Sequence, residues 1–237
     1  MFTRFRSLGL FLGKEDHLDS DQLFTVYTKD FGKLEVSGRA IRKVSSKLRP
    51  GAEIFYLSDI EFIQGKNRKV LTEAVPIEKS INLRKDSGRL KIAYEISEIL
   101  DNLIKGQEPD KEIWQLLAET FRKLEDCENP EIIYHYFFWN FISILGYKPE
   151  LYHCVVCREK IMPGKLYFSQ NDGGAVCQSC FTPSKEEIQP AVIKILRIIL
   201  KEDWQTLSKL KGIEGQHLKG LQSISEDYYL HICGNLS

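Results

Sequence analysis

Four cysteines stand in two pairs, Cys154-Val155-Val156-Cys157 and Cys177-Gln178-Ser179-Cys180. Two residues separate the members of each pair and 19 separate the pairs, a spacing that reads as a zinc site. The reason is geometric. A Cys-x-x-Cys turn lets two thiolates face one point, and two such turns supply the four sulfurs of a closed tetrahedral shell. Four protein ligands leave no position open for water or substrate, so one Zn2+ per chain held here is structural, not catalytic. The competing readings are a pair of disulfides or a set of redox thiols. A redox Cys-x-x-Cys opens a helix in a βαβ context, and neither pair has one.

Between the pairs, 165–169 reads as a strand, Asn171-Asp172-Gly173-Gly174 as a turn, and Ala175-Val176 as the return. The result is a zinc-ribbon-like hairpin spanning 152–183. Its cations Arg158, Lys160 and Lys165 are opposed by Glu159 and Asp172, so it is expected to staple helical parts together rather than to contact nucleic acid. His153 precedes Cys154 but is surplus to a four-sulfur shell. Cys127 and Cys233 have no assigned role.

The second chemical signal is a run of cations. Between residues 33 and 49 lie Lys33, Arg39, Arg42, Lys43, Lys47 and Arg49, with Glu35 the only acid. Gly38, Ser37, Ser45 and Ser46 lie among them. A further basic turn, Lys66-Asn67-Arg68-Lys69, belongs to the same region. Phosphate binding needs several cations on one face, with small polar residues that let the chain approach a sugar-phosphate backbone. A solvated loop is the commoner fate of a charge run. The near absence of acids here favours nucleic acid, with Arg68 joining the set. Phe31, Phe55 and Tyr56 are candidates to stack on bases, although the core competes for them.

The elements that must position these residues follow from periodicity. Residues 1–80 read as five or so short strands: an apolar run at 8–12, a β-branched and aromatic run at 23–28, alternation at 34–38, then 53–57 with 59–63, and 70–74. Asp30-Phe31-Gly32-Lys33 makes a hairpin turn and Gly65-Lys66-Asn67-Arg68 another. A small barrel or sandwich is expected. After Pro76 the period becomes helical. Helices are expected over 89–104, capped by Asp86 or Ser87, from Pro109-Asp110 to Leu124, and from Asn129-Pro130 to Leu145, with Pro130 at the first helical position. Their short connections imply that the three pack together. Beyond Pro183-Ser184, helices are expected over 190–200 and 204–210, with one more between 215 and 236.

The 237 residues include 43% hydrophobic and 28% charged side chains, with 33 basic and 33 acidic. That excludes a disordered chain and leaves the question of nucleic acid to clustering rather than net charge. The N-terminal run Leu8-Gly9-Leu10-Phe11-Leu12 is too short for a secretory h-region, and no stretch reaches the ~18 apolar residues of a membrane span. A cytoplasmic protein without membrane partners is expected. Five histidines (His17, His135, His153, His217, His231) form no catalytic set, and no GxSxG, Walker loop, GxGxxG or HExxH occurs. A binding protein is expected, not an enzyme.

In their order these pieces resemble the RecO family of recombination mediators. The resemblance is carried by Gly9-Leu10-Phe11-Leu12, by 23–28 followed by Phe31-Gly32-Lys33, by Gly38-Arg39-Ala40 and Arg42-Lys43-Val44-Ser45-Ser46-Lys47-Leu48, and by Leu145-Gly146-Tyr147-Lys148-Pro149-Glu150-Leu151 leading into Cys154. It implies an α+β multidomain chain: an OB-fold DNA-binding domain over 1–80, a helical domain begun at 81–151 and completed at 184–237, and a zinc module inserted at 152–183. It implies binding of single- and double-stranded DNA at the nucleoid and annealing of complementary strands. It also implies loading of RecA, together with RecR, onto DNA coated by single-strand binding protein. The DNA contacts carried over are Lys33, Arg39, Arg42, Lys43, Lys47 and Arg49; the zinc ligands are Cys154, Cys157, Cys177 and Cys180. After Pro183 the similarity is weak. The alternative is a zinc-stapled protein-interaction adaptor that does not bind DNA directly.

Overall fold

The computed structural model describes residues 3–65, 68–183, 186–210 and 215–236, so Lys66 and Asn67 of the basic turn and Ser184 lie outside the described residues. The chain divides into two compact units, residues 1–128 and 129–237.

The first unit is built on five strands, β1 (Arg4–His17), β2 (Asp21–Thr28), β3 (Gly32–Gly38), β4 (Leu57–Gln64) and β5 (Lys69–Glu78). The long β1 serves two neighbours. Its first half, from Arg4 to Leu10, pairs with β4, and from Gly9 to His17 it pairs with β2, with a bulge between Phe11 and Gly13. A bulge bends a strand and raises its twist, which lets one strand turn the corner of a barrel. β3 and β5 then meet in parallel at Val36–Lys69 and Ser37–Val70, closing the barrel in the order β1-β2-β3-β5-β4. The fold is the OB-like barrel expected. Inward positions alternate with outward ones, so Phe11, Phe24, Val26, Leu34, Val36, Ile60, Phe62 and Leu71 fill the interior. Phe31 belongs with them, edge-on to Phe5 and Phe62 at 5.6 and 5.4 Å.

The strand expected over 53–57 begins only at Leu57. Residues 39–56 form one long loop instead, whose Ile41 and Ala52 join the barrel core. Phe55 is the reason. Its backbone is left-handed, with φ of 64°, so the chain cannot stay extended there. The ring is fully buried, 5.0 Å from Tyr94 and 5.5 Å from Phe121. Burial of one aromatic ring against the helices outweighs the β preference of the segment. Gly51 presses this loop onto β5, where a Cβ would stand 2.1 Å from the Ala74 carbonyl oxygen.

Three helices complete the unit. A short α1 (Ile81–Lys85), not anticipated, is capped from a distance: the Glu125 carboxylate accepts from the backbone N–H of Asn82 and Leu83 at 2.8 and 3.0 Å. Asp86 caps α2 (Ser87–Leu103), accepting from the Arg89 N–H, and Asp110 caps α3 (Lys111–Asp126), accepting from Glu112 and Ile113. Each such cap satisfies N–H groups that have no partner within the helix.

The second unit contains α4 (Glu131–Ile144), α5 (Pro190–Ile199), α6 (Trp204–Lys209) and α7 (Gln216–Leu236), with a sheet of β6 (Leu166–Ser169), β7 (Gly174–Cys177) and β8 (Glu186–Ile188) in the order β7-β6-β8. The three-helix grouping expected from the sequence therefore divides between the units. The cause is visible in α4. Every residue from Ile132 to Ile142 is buried, and a helix apolar all round needs neighbours on all sides; α5 and α7 pack against it. Pro130 is the N-cap residue rather than the first helical one. No helix among the described residues is long and apolar enough to cross a membrane.

Polar side chains enter this core, among them His135, Asn140 and Ser225. Ser225 of α7 accepts from Trp139 Nε1 at 3.0 Å and lies 3.0 Å from His135 Nδ1. Burial pushes the His135 imidazole down to about 3. The sign follows: the unfolded histidine takes up a proton below about pH 6.5 while the folded one does not, so stability is fully present above that value and falls as pH drops toward 3. Denaturant unfolding of the second unit is expected to lose on the order of 1 kcal/mol per pH unit between about pH 6 and 4 through this group. In His135→Gln that slope should be shallower at equal zinc; equal slopes would contradict the assignment.

Candidate nucleic-acid interface and metal centre

Three segments converge at one mouth of the barrel: the β1–β2 turn at 18–20, the start of the 39–56 loop, and the β4–β5 connection. Hydrogen bonds lock the first two together. Asp21 Oδ1 accepts from the Ala40 N–H at 2.7 Å, and the Ser20 carbonyl accepts from the Arg42 N–H at 3.1 Å. Arg42 also pairs with Asp16 at 3.2 Å. Leu18 sits at the turn's tip with φ of 55° and its side chain out in solvent, 74% exposed. From the third segment, Arg68 brings Nη1 to 3.3 Å from His17 Nε2. An open depression of about 420 Å³ lies between them, lined by His17, Leu18, Asp21, Ser37, Arg39, Gly65 and Arg68. Arg39 and Arg68, 29 residues apart in the chain, thus share one surface. In OB folds the β1–β2 and β4–β5 loops frame oligonucleotides.

The remaining cations spread along the loop. Lys43 is exposed. Lys47 rims a second depression with Arg4, Thr72 and the acids Glu61 and Glu73. Arg49 lines a third, with Tyr56, Lys79 and Arg84. Lys33 is placed differently. On β3, its ammonium donates to Asp101 Oδ1 at 2.8 Å and to the Asp101 carbonyl at 3.0 Å, and its side chain is only 17% exposed. The aromatic candidates separate as well: Phe55 is buried, Phe31 is half-buried but packs on the barrel core, and Tyr56 is half-buried beside the third depression. Sequence reading missed His17, Arg4, Lys79 and Arg84. None lies in the basic run; strand pairing brings Arg4, His17 and Lys79 to it, and α1 after β5 brings Arg84.

The four cysteines meet as their spacing predicts. All of their sulfurs lie within 4.8 Å of one another. Cys157 and Cys177 Sγ are 3.7 Å apart, close to the roughly 3.8 Å edge of a tetrahedron with bonds of about 2.3 Å to zinc. A disulfide would hold sulfurs at about 2.05 Å, and Cys154, Cys157, Cys177 and Cys180 form none. The backbone shapes the site. Arg158 takes φ of 65°, letting the first pair fold back so that the Cys154 N–H donates to the Glu159 carbonyl at 2.8 Å. β6 and β7 carry the second pair to it, in register from Leu166–Cys177 to Ser169–Gly174.

Burial opposes ionisation of Cys154, but N–H groups of Cys157, Cys177 and Val156 aimed at its sulfur bring it down to about 6. Cys180 goes the other way, pushed up to about 12 with Cys177 as the largest cause. Four crowded sulfurs thus resist sharing negative charge, a conflict that a divalent cation resolves. The donor set suits zinc: four soft sulfurs and no open position. His153 lies 3.8 Å from Glu150 and is half exposed.

Two family models match the chain: Recombination protein O N terminal over residues 1–79 and Recombination protein O C terminal over residues 84–235. Curated relatives named DNA repair protein RecO are similar along most of their length. That of Dehalococcoides mccartyi is 27% identical over 208 residues, 87% of this chain and 82% of its own. That of Bacillus pumilus is 26% identical over 226 residues, 94% of this chain and 87% of its own.

Elemental analysis of the purified protein is expected to give one zinc per chain. Cys154→Ser should lose it and destabilise the second unit by several kcal/mol, the order of structural zinc energetics, while the barrel keeps its unfolding midpoint. Full stability in chelator would contradict a structural metal.

Proposed function

The chain belongs to the recombination protein O family of DNA repair proteins, and we propose that it serves recombinational repair by binding DNA at the barrel mouth. The observation that carries this reading is the convergence of Arg39 and Arg68 on one depression framed by the loop ends of a closed OB-like barrel. Arg39, Arg42, Lys43, Lys47, Arg49 and Arg68 are its proposed contacts. Lys33 would first have to leave Asp101. Guanidinium and ammonium groups on an exposed loop neutralise phosphates without reading sequence. A strand so held keeps its base edges free, which is what pairing with a complementary strand requires.

On this reading the protein anneals complementary single strands. It helps load the recombinase RecA, acting with RecR on DNA covered by single-strand binding protein. Its work is binding rather than catalysis, carried out in the cytoplasm at the nucleoid. The four cysteines hold one structural zinc per chain and take no part in strand contact. The domain limits proposed are 1–80 for the barrel, 81–151 and 184–237 for the helical parts, and 152–183 for the zinc module.

Single-strand affinity measured against salt tests the reading. Each lost phosphate contact flattens the log–log slope by about 0.7, so Arg39→Ala with Arg68→Ala is expected to flatten it by about 1.4 and to weaken binding at low salt. Unchanged slope and affinity would reject the barrel mouth as the DNA site. The reading as a protein-interaction adaptor would then take its place.

A further inference from the structure

The third depression has a composition unlike the rest of the barrel surface. It holds about 410 Å³ and is lined by Arg49, Tyr56, Lys79 and Arg84, with Glu53 as its one acid. The Arg84 guanidinium lies over the Tyr56 ring, 5.2 Å from its centroid. Glu53 does not cancel these cations. It forms a close ion pair with Lys14 and reaches Arg84 only at 3.8 Å. Lys14 and Arg84 are among the causes that hold its carboxyl below the usual range, although its burial works the other way.

The position of this depression is set by the β4–β5 hairpin. Leu57 of β4 pairs with Glu78 of β5, just before Lys79, while Gln64 pairs with Lys69 beside Arg68. The mouth and the third depression therefore flank opposite ends of one hairpin, roughly 24 Å apart at the rise of an extended strand. A straight path between them along β4 and β5 would cross Asp59, Glu61 and Glu73, whose partners include Arg4 and Arg6. The 39–56 loop offers the other path. Arg39, Arg42, Lys43, Lys47 and Arg49 follow one another along it, all exposed, and it ends at Tyr56.

We propose that the single-strand track runs along this loop and ends in a nucleotide subsite made by Arg49, Tyr56, Lys79 and Arg84. Arg49 and Lys79 take the phosphate. The Arg84 guanidinium, layered over Tyr56, presents a planar cation, a surface on which a base of any sequence stacks. Val44, 92% exposed on the loop beside the depression, is placed to touch the neighbouring base. The ligand class is single-stranded nucleic acid, and the inference rests on the reading that the barrel mouth binds DNA.

Binding of oligothymidylates of about 6 and about 15 nucleotides, which bracket OB-fold site sizes, separates the two ideas. In the native protein the longer oligonucleotide is expected to bind at least tenfold more tightly. Lys79→Ala with Arg84→Ala should remove most of that gain and leave the short one unchanged, whereas Arg39→Ala with Arg68→Ala weakens both. Arg84→Lys keeps the charge but not the plane, and should retain only part of the gain. If this double variant does not fold, as judged by its thermal transition, Lys79→Glu alone should still reduce the gain, since Lys79 is an exposed side chain. A native protein that binds both lengths equally, or long-strand affinity indifferent to these changes, would overturn the subsite while leaving the mouth intact. Loss of neither length in the Arg39 and Arg68 variant would instead reject the mouth.

Discussion

The first unit depends on the parallel meeting of β3 and β5. Two residue pairs, Val36–Lys69 and Ser37–Val70, turn an open sheet into a closed barrel. Closure has a consequence for the chain. β3 leaves the sheet at Gly38 and β4 starts only at Leu57, so 18 residues must travel outside the barrel wall. That length is costly to order unless something anchors it. The anchors are apolar: Ile41, Leu48 and Ala52 pack on the barrel core, and Phe55 on α2 and α3. With its apolar residues turned inward, the loop keeps its cations outward. The same pairing carries Arg68 to Arg39. Barrel closure and the basic surface rest on the same strand pairing.

The two units divide the chemistry. The first offers exposed cations on a closed barrel, suited to a polyanion bound through many weak contacts. The second invests in order: an aromatic helix surrounded by neighbours, a buried hydrogen-bonded serine, and four sulfurs aimed at one point. A closed shell of sulfurs has nothing to offer a substrate. Its contribution is to the folded state of the segments it joins.

The meeting of the four cysteines was legible, because each pair is a local turn and the spacing between pairs matches a single hairpin. The basic surface was legible only as far as it is linear. Arg39, Arg42, Lys43, Lys47 and Arg49 are read as a run, but Lys79 and Arg84 reach it through the β4–β5 register, which composition does not encode. Lys33 shows the opposite failure. Its charge belongs to the run, yet its side chain is held by Asp101, 68 residues away. The barrel was anticipated in strand number, but Phe55 broke a segment that local preference makes a strand. Tertiary burial of one ring outweighed propensity there. Apart from the short α1, the helices were legible from period and caps; the company α4 keeps was not, although its largely apolar circumference carries the signal.

Hydrogen–deuterium exchange, with and without a single-stranded oligothymidylate, tests the central claim most directly. Binding at the barrel mouth predicts slowed exchange in the 17–21 turn and across 39–49, with the zinc hairpin at 154–180 unchanged. Protection confined to the cysteine hairpin or the second unit, with the barrel loops exchanging as before, would contradict it.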